Sequence, residues 1–263
     1  MQFTKISATG NDFILIDNRD GRLRGDEHAF FHRICQRRRS VGADGILLIQ
    51  RSAVSDFSLV YYNSDGYIGE MCGNGARAAA YYAFKHNIAP AAVRFDVLGV
   101  EYRAEVRDDW VSLTMPAPVE VRENPGVVEE PDFAEGGYVN VGVPHYVLFV
   151  PDVDRVDVER IGRKYRHHAA FQPWGTNTNF AQILDDRTMK LRTYERGVEE
   201  ETLACGTGTV SSAILAVKQR GMRRPITVHA PGGVLQVDFD ESISEIKLVG
   251  QVAFIYYGEL LEK

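Results

Sequence analysis

The chain has 263 residues, 44% of them hydrophobic and 25% charged, with a formal net charge of −6. That length fits one large or two ordinary domains, each with a core of its own, and the acidic balance leaves no face-wide excess of Lys and Arg for nucleic acid or an anionic membrane surface. No apolar run approaches the roughly 18–20 residues of a membrane helix, and the first residues lack the basic and apolar regions of a signal peptide, so a cytoplasmic location is expected.

Residues 3–7 and 14–17 have the pattern of strands, with Ala8-Thr9-Gly10-Asn11-Asp12 turning between them. Residues 26–38 read as a helix with Phe30, Phe31, Ile34 and Cys35 on one side, which places Cys35 in the core and leaves Arg37-Arg38-Arg39 as a solvated helix end. Strands follow at 46–50 and 57–62, the first preceded by Gly42-Ala43-Asp44-Gly45 and the second closed by an Asn63-Ser64-Asp65-Gly66 turn. The helix at 76–85 is so rich in alanine and tyrosine that burial is expected. Strands at 93–97, 100–106 and 110–114 complete the first half, and Met115-Pro116-Ala117-Pro118 breaks the pattern as a domain boundary does.

The second half opens with acidic, proline-bearing sequence at 120–132, expected to be a mobile surface stretch. Strands at 137–141 and 146–150 flank Gly142-Val143-Pro144-His145, and a helix is expected at 156–165. Strands at 178–184 and 189–194 lead to a second buried helix at 207–220, then to strands at 226–228, 234–239 and 246–249, with a separate β-rich segment at 251–257.

Two motifs organise this series. Met71-Cys72-Gly73-Asn74-Gly75-Ala76-Arg77 and Ala204-Cys205-Gly206-Thr207-Gly208-Thr209 each carry a cysteine, two glycines and a run that opens a helix after a strand. Backbone N–H groups at such a start lack intrahelical partners, attract negative charge and favour the thiolate of an adjacent cysteine. Cys205 lies 133 residues after Cys72, Gly142 lies 132 after Gly10, Gly175 lies 133 after Gly42, and Glu195 lies 132 after Asn63. Four landmarks in one register imply two copies of one αβ unit, with two thiols built to face each other. The three cysteines make neither a disulfide framework nor a zinc-ligand spacing, so free thiols and no metal are expected.

Two facing thiols suit inversion of a carbon α to a carboxylate: one thiolate removes the α-proton from one face while the other thiol delivers a proton to the opposite face. The carbanion then needs stabilising, and the amides around Gly73-Asn74-Gly75 and Gly206-Thr207-Gly208 are placed to do it. No Gly-rich phosphate loop accompanies an identifiable Schiff-base lysine, so no cofactor is expected.

In order along nearly the whole chain, Gly10-Asn11-Asp12-Phe13, Gly42-Ala43-Asp44-Gly45, Asn63-Ser64-Asp65-Gly66, the first cysteine motif, Pro144-His145, Tyr194-Glu195-Arg196-Gly197 and Cys205-Gly206-Thr207-Gly208 resemble the diaminopimelate epimerase family. The resemblance implies an α/β (α+β) fold of two pseudo-symmetric domains, each a sheet wrapped around a buried central helix, with the active site in the cleft between them. It implies boundaries at 1–116 and 117–250, with 251–263 returning to the first domain, and a possible homodimer. The implied chemistry is interconversion of LL- and meso-2,6-diaminoheptanedioate, with Cys72 and Cys205 catalytic. Asn11, Asn63, Gly73, Asn74, Asn177, Glu195, Arg196, Gly206 and Thr207 are implied to bind substrate, with His145 lining the site beside the cysteines.

Three departures from the family pattern bear on the distal end of the substrate: Val143 where Asn is frequent, Gly45 where some members have Gln, and an extra residue within 197–202. The residues leave other readings open. These are a related cofactor-independent racemase of a single-carboxylate amino acid such as histidine, a cysteine hydrolase or transferase with His145 as base, and a binding protein on the same fold.

Overall fold

The N-terminal alternation folds as a hairpin, in which β1 (Gln2–Ala8) pairs antiparallel with β2 (Asn11–Asp17). Thr9 and Gly10 both have positive φ, 46° and 87°, as a two-residue turn matched to strand twist requires. The computed structural model describes residues 1–69 and 71–261 and divides into two units: Met1–Thr114 with the chain from Gly250 onward, and Met115–Val249.

In the first unit, β2 runs parallel to β3 (Gly45–Gln50) across α1 (His28–Cys35), and β3 turns back antiparallel into β4 (Phe57–Asn63). A second crossover through α2 (Gly73–Lys85) makes β4 parallel to β5 (Ala92–Val97), which is followed antiparallel by β6 (Val100–Arg107) and β7 (Trp110–Met115). Parallel neighbours need such helical crossovers. Alternation along β3 serves two layers: Ile46 and Leu48 pack with Phe31, Ile34 and Cys35 of α1, whereas Leu47 meets Gly75 of α2. Residues 74–83 of α2 are all buried and touch β1 to β6, so α2 is the central helix of this unit.

Helix α1 is shorter than the 26–38 expected. The Glu27 carboxylate accepts the backbone N–H groups of Arg24 and Gly25 ahead of it, and Gln36 and Arg38 leave helical geometry behind it. The arginine run is therefore a turn, and Arg37 is a bridging residue that pairs with both Asp12 and Asp44.

The second unit begins with a correction to the surface stretch expected at 120–132. β8 (Glu120–Glu123) is an edge strand paired with β9 (Ala134–Asn140), Arg122 stacks 4.1 Å from the centre of the Tyr138 ring, and Val127 is buried. β9 pairs antiparallel with β10 (Pro144–Phe149), β10 parallel with β11 (Asn177–Ile183) across α3 (Val158–Arg166), and β11 antiparallel with β12 (Thr188–Glu195). Asp157 caps α3 by accepting the Arg160 N–H at 3.2 Å, which places the helix start two residues later than expected. A short strand not expected from the sequence, β13 (Glu200–Thr202), folds back on β12. α4 (Gly206–Arg220) then carries the chain to β14 (Ile226–Ala230), parallel to β12, and β15 (Gly233–Phe239) follows antiparallel. α4 is buried from Gly208 to Ala216 against β9, β10, β11 and β15.

The two β-segments expected at 246–249 and 251–257 are one 14-residue strand, β16 (Ile246–Glu259). From Gly250 onward it belongs to the first unit, where it pairs with β1 from Ala8↔Val252 to Gln2↔Glu259. The last two residues of the 251–263 return lie outside the described residues. From β1 to β6, and again from β9 to β15 with β13 set aside, the pairings run antiparallel, parallel, antiparallel, parallel, antiparallel. Phe13↔Gly45 in one unit corresponds to His145↔Asn177 in the other, both members displaced by 132 residues. Among the described residues no helix is long and apolar enough to cross a membrane.

Candidate active site

Each motif cysteine is the N-cap of its unit's central helix. Cys72 is extended (φ −106°, ψ 116°) and its carbonyl accepts the Ala76 N–H at 2.8 Å; Cys205 is extended (φ −123°, ψ 112°) and its carbonyl accepts the Thr209 N–H at 2.9 Å. Neither cysteine side chain makes a cap hydrogen bond to its helix, and the first N–H groups, from Gly73 and Gly206 onward, form the positive end of the helix dipole. Small residues permit this close approach. A Cβ on Gly75 would stand 3.0 Å from Leu47 Cδ2, and one on Gly208 would stand 2.3 Å from Asn179 Oδ1.

Around Cys72, the Asn74 side chain donates to Asn11 Oδ1 at 2.6 Å, and Asn11 donates to Asp44 Oδ2 at 3.0 Å. Arg77 Nη2 donates to Asn74 Oδ1 at 2.7 Å and to Thr9 Oγ1 at 2.9 Å. Both amides are thereby fixed in orientation, since a guanidinium only donates and a carboxylate only accepts. Arg77 is 0% exposed, and among the described residues it has no salt bridge and no partner for Nε or Nη1. Burial pulls its guanidinium down to about 10, against the opposing influence of Cys72, so it stays charged at neutral pH. Asp12 anchors the other end of the turn. Its burial would raise its pKa, but hydrogen bonds from Arg37 and Lys5 hold it at about 2.

Around Cys205, the sulfur lies 3.5 Å from Thr207 Oγ1, which lies 2.9 Å from His145 Nε2. His145 is wholly buried on β10, and that burial pushes it down to about 3, so the ring is neutral. Asn177 pairs with the turn after β12: its Oδ1 accepts the Arg196 N–H at 2.7 Å and its Nδ2 donates to the Pro144 carbonyl at 2.9 Å. Glu195 accepts from the Thr202 hydroxyl at 2.9 Å, and burial raises its carboxyl pKa.

The expected residues thus fall into local groups. Asn11 joins Asn74, His145 joins Thr207 and Cys205, Asn177 joins Arg196, and Glu195 is held by β13. Asn63 stands exposed at the end of β4. The Arg196 guanidinium is half-exposed and donates to the Trp174 carbonyl at 3.1 Å, whereas that of Arg77 is wholly buried. Thr9, Asp44, Asn179 and Thr193 complete these groups; the first two stand in turn motifs read above without a role drawn for them, and the last two were not legible, because polar residues in strands carry no periodic signal.

The three positions where the sequence departs from the resembled pattern have these settings. A Cβ on Gly45 would stand 2.5 Å from both the Tyr61 ring and the Tyr62 carbonyl, so glycine suits the tyrosines of this chain. The 197–202 segment makes the hairpin to β13, where Glu199 has φ 62° and accepts from Gly197 N–H and Arg166. Val143 sits half-buried in the turn before β10.

A family model described as diaminopimelate epimerase matches residues 3–120 and 137–255. The chain is 40% identical to the diaminopimelate epimerase of Aquifex aeolicus, with 100% of this chain and 99% of that one covered. It is 38% identical to the diaminopimelate epimerase of Chlorobaculum tepidum, with 97% and 99% covered. Among solved structures it is similar to a Bacillus anthracis phenazine biosynthesis protein of the PhzF family, with TM-score 0.76, 15% identity, and 100% and 99% covered. It is also similar to a probable proline racemase from Agrobacterium radiobacter, with TM-score 0.64, 13% identity, and 100% and 93% covered. At such identities the structural likeness is one of fold.

Proposed function

The chain belongs to the diaminopimelate epimerase family, and on that premise we propose that it interconverts LL- and meso-2,6-diaminoheptanedioate by a two-base reaction without a cofactor. This is an isomerase reaction of lysine and cell-wall precursor synthesis. One thiolate takes the α-proton, breaking the C–H bond and leaving its electron pair on the α-carbon and carboxylate. The other thiol gives its proton to the opposite face, so the configuration inverts and the two sulfurs exchange protonation states. Helix N-termini stabilise both the thiolates and the carbanionic carboxylate.

The observation that carries this reading is the matched placement of Cys72 and Cys205 as N-caps of two buried helices with one shared topology. In the reverse direction the cysteines exchange roles, which suits equivalent settings. A cysteine hydrolase would need His145 against the thiol, whereas its Nε2 is bonded to Thr207. Asn11, Asn63, Asn74, Asn177, Glu195 and Arg196 are assigned here to the substrate, the half-exposed Arg196 taking the distal carboxylate. Cys72→Ser and Cys205→Ser should each nearly abolish epimerisation, measured as conversion of LL substrate to the meso form, because serine is a far weaker acid. Near-normal conversion by either variant would remove that cysteine from the mechanism.

The same reading takes the enzyme to work in the cytoplasm, independent of nucleic acid, as a homodimer. Exposed Ile255, Tyr256 and Tyr257 on β16 offer apolar surface for a second copy. Sedimentation of the wild type against Tyr257→Glu tests that assembly.

A further inference from the structure

A line of buried hydrogen bonds leads to Cys205 from two residues that have no assigned role. Thr193 Oγ1 donates to Asn179 Oδ1 at 3.0 Å, and Asn179 Nδ2 reaches both the Tyr146 carbonyl at 3.2 Å and His145 Nδ1 at 3.1 Å. Asn179 and His145 are fully buried and Thr193 nearly so. The donor directions follow from chemistry. The Tyr146 carbonyl only accepts, so the NH2 end of Asn179 faces it, and the second N–H of that group points at Nδ1. Nδ1 therefore offers its lone pair, and the neutral ring carries its proton on Nε2, 2.9 Å from Thr207 Oγ1. With its oxygen occupied as acceptor, the Thr207 hydroxyl is free to aim its hydrogen at Cys205 Sγ, 3.5 Å away.

We propose that Asn179 is a positioning residue for the reaction: by holding His145 in the Nε2–H tautomer it turns the Thr207 hydroxyl hydrogen toward Cys205 and sets how readily that thiol gives up its proton. The inference rests on reading Cys205 as an acid–base group. A hydrogen bond donated to sulfur favours the thiolate. Reversal of the line would make Thr207 donate to Nε2 and leave the sulfur without that donor. Thr193 occupies the Asn179 oxygen and so holds the amide against flipping. Within the unit, Arg196 is the charged group that acts on His145, and Glu195 on β12 is held by the Thr202 hydroxyl. Neither is bonded to Asn179: the Arg196 N–H donates to Asn177 and Glu195 accepts from Thr202.

The test is the pH dependence of iodoacetamide labelling at Cys205, followed on the Cys205 peptide by mass spectrometry in the full-length protein. In Asn179→Leu and in Thr207→Val the labelling midpoint should rise by roughly one to two pH units relative to wild type. Thr207→Ser should restore the wild-type midpoint, and combining Asn179→Leu with Thr207→Val should add nothing further. Folded Asn179→Leu protein with an unmoved midpoint would overturn the proposal, as would an additive double variant. Should Asn179→Leu not fold, an unmoved midpoint in Thr207→Val would overturn it alone. Labelling reads the thiol whatever the substrate, so a moved midpoint in a protein that fails to epimerise diaminopimelate would sink the proposed reaction and leave the positioning role standing.

Discussion

His145 is a neutral group kept neutral by burial, and that has a measurable cost. Its folded pKa, about 3, lies below the ordinary histidine value of 6.5. As pH falls below 6.5 the unfolded chain takes up a proton that the folded chain refuses until about pH 3, so stability is full above that window and declines within it. The slope is at most about 1.4 kcal/mol per pH unit. His86, also lowered by burial, adds in the same direction, whereas Glu195, raised by burial, acts oppositely. Denaturant unfolding between pH 7 and 5 should therefore show a flatter profile for His145→Gln than for wild type, and equal slopes would contradict the burial argument. Cys35 provides a second check. Burial among Ile14, Phe31 and Ile34 pushes its thiol up to about 11, so native labelling at pH 8 should modify Cys72 and Cys205 well before Cys35. Arg196→Met should lose on the order of 100-fold in kcat/KM on diaminopimelate, the scale of one charge-assisted contact, while remaining folded. At this scale the cysteines were legible because a thiol between glycines at a helix start is a rare pattern. Arg77 stood in the same motif but its isolation was not, because burial of a cation depends on six strands arranged around α2.

The secondary-structure elements were mostly legible, since period-two and helical patterns record which face each buries. The misses have physical causes. β8 is acidic and exposed, and only its pairing with β9 makes it a strand. β13 is three residues long, and β16 runs through Gly250 without a break. The glycines of the cysteine motifs can be read as openings for an anion to approach the backbone, and the structure gives Gly75, Gly206 and Gly208 a packing role as well. Gly208→Ala would push a methyl group into Asn179 Oδ1 and His145, at 2.3 and 3.3 Å. It should cost about 1–3 kcal/mol in unfolding free energy, as overpacking typically does. Gly45→Gln should destabilise this chain by a similar amount, because its Cβ meets backbone and ring atoms 2.5 Å away. Chemical denaturation of the two variants checks both figures, and an unchanged midpoint for either would mean that its surroundings yield freely.

Across the whole molecule the chain repeats one unit, and the register of about 132 residues seen in its motifs reappears as equivalent strand pairs, Phe13↔Gly45 and His145↔Asn177. Repetition was legible because landmark glycines and cysteines keep their spacing when surface residues drift. The hydrogen-bonded surroundings of the two cysteines differ all the same: a buried guanidinium and two asparagines near Cys72, a histidine and a threonine beside Cys205. The matched part is the N-cap placement of the two cysteines, and the difference lies in the side chains around them. In the proposed reaction, inversion proceeds by proton removal from one face and delivery of another proton to the opposite face. Incubating the wild-type protein with LL-diaminopimelate in deuterated water, and following configuration and α-deuterium together, tests it directly. Meso product formed in the first turnovers should carry solvent deuterium at the inverted carbon, while LL substrate recovered at the same time is still largely unlabelled. Meso product that retains the original α-hydrogen, or inversion without any exchange, would contradict it.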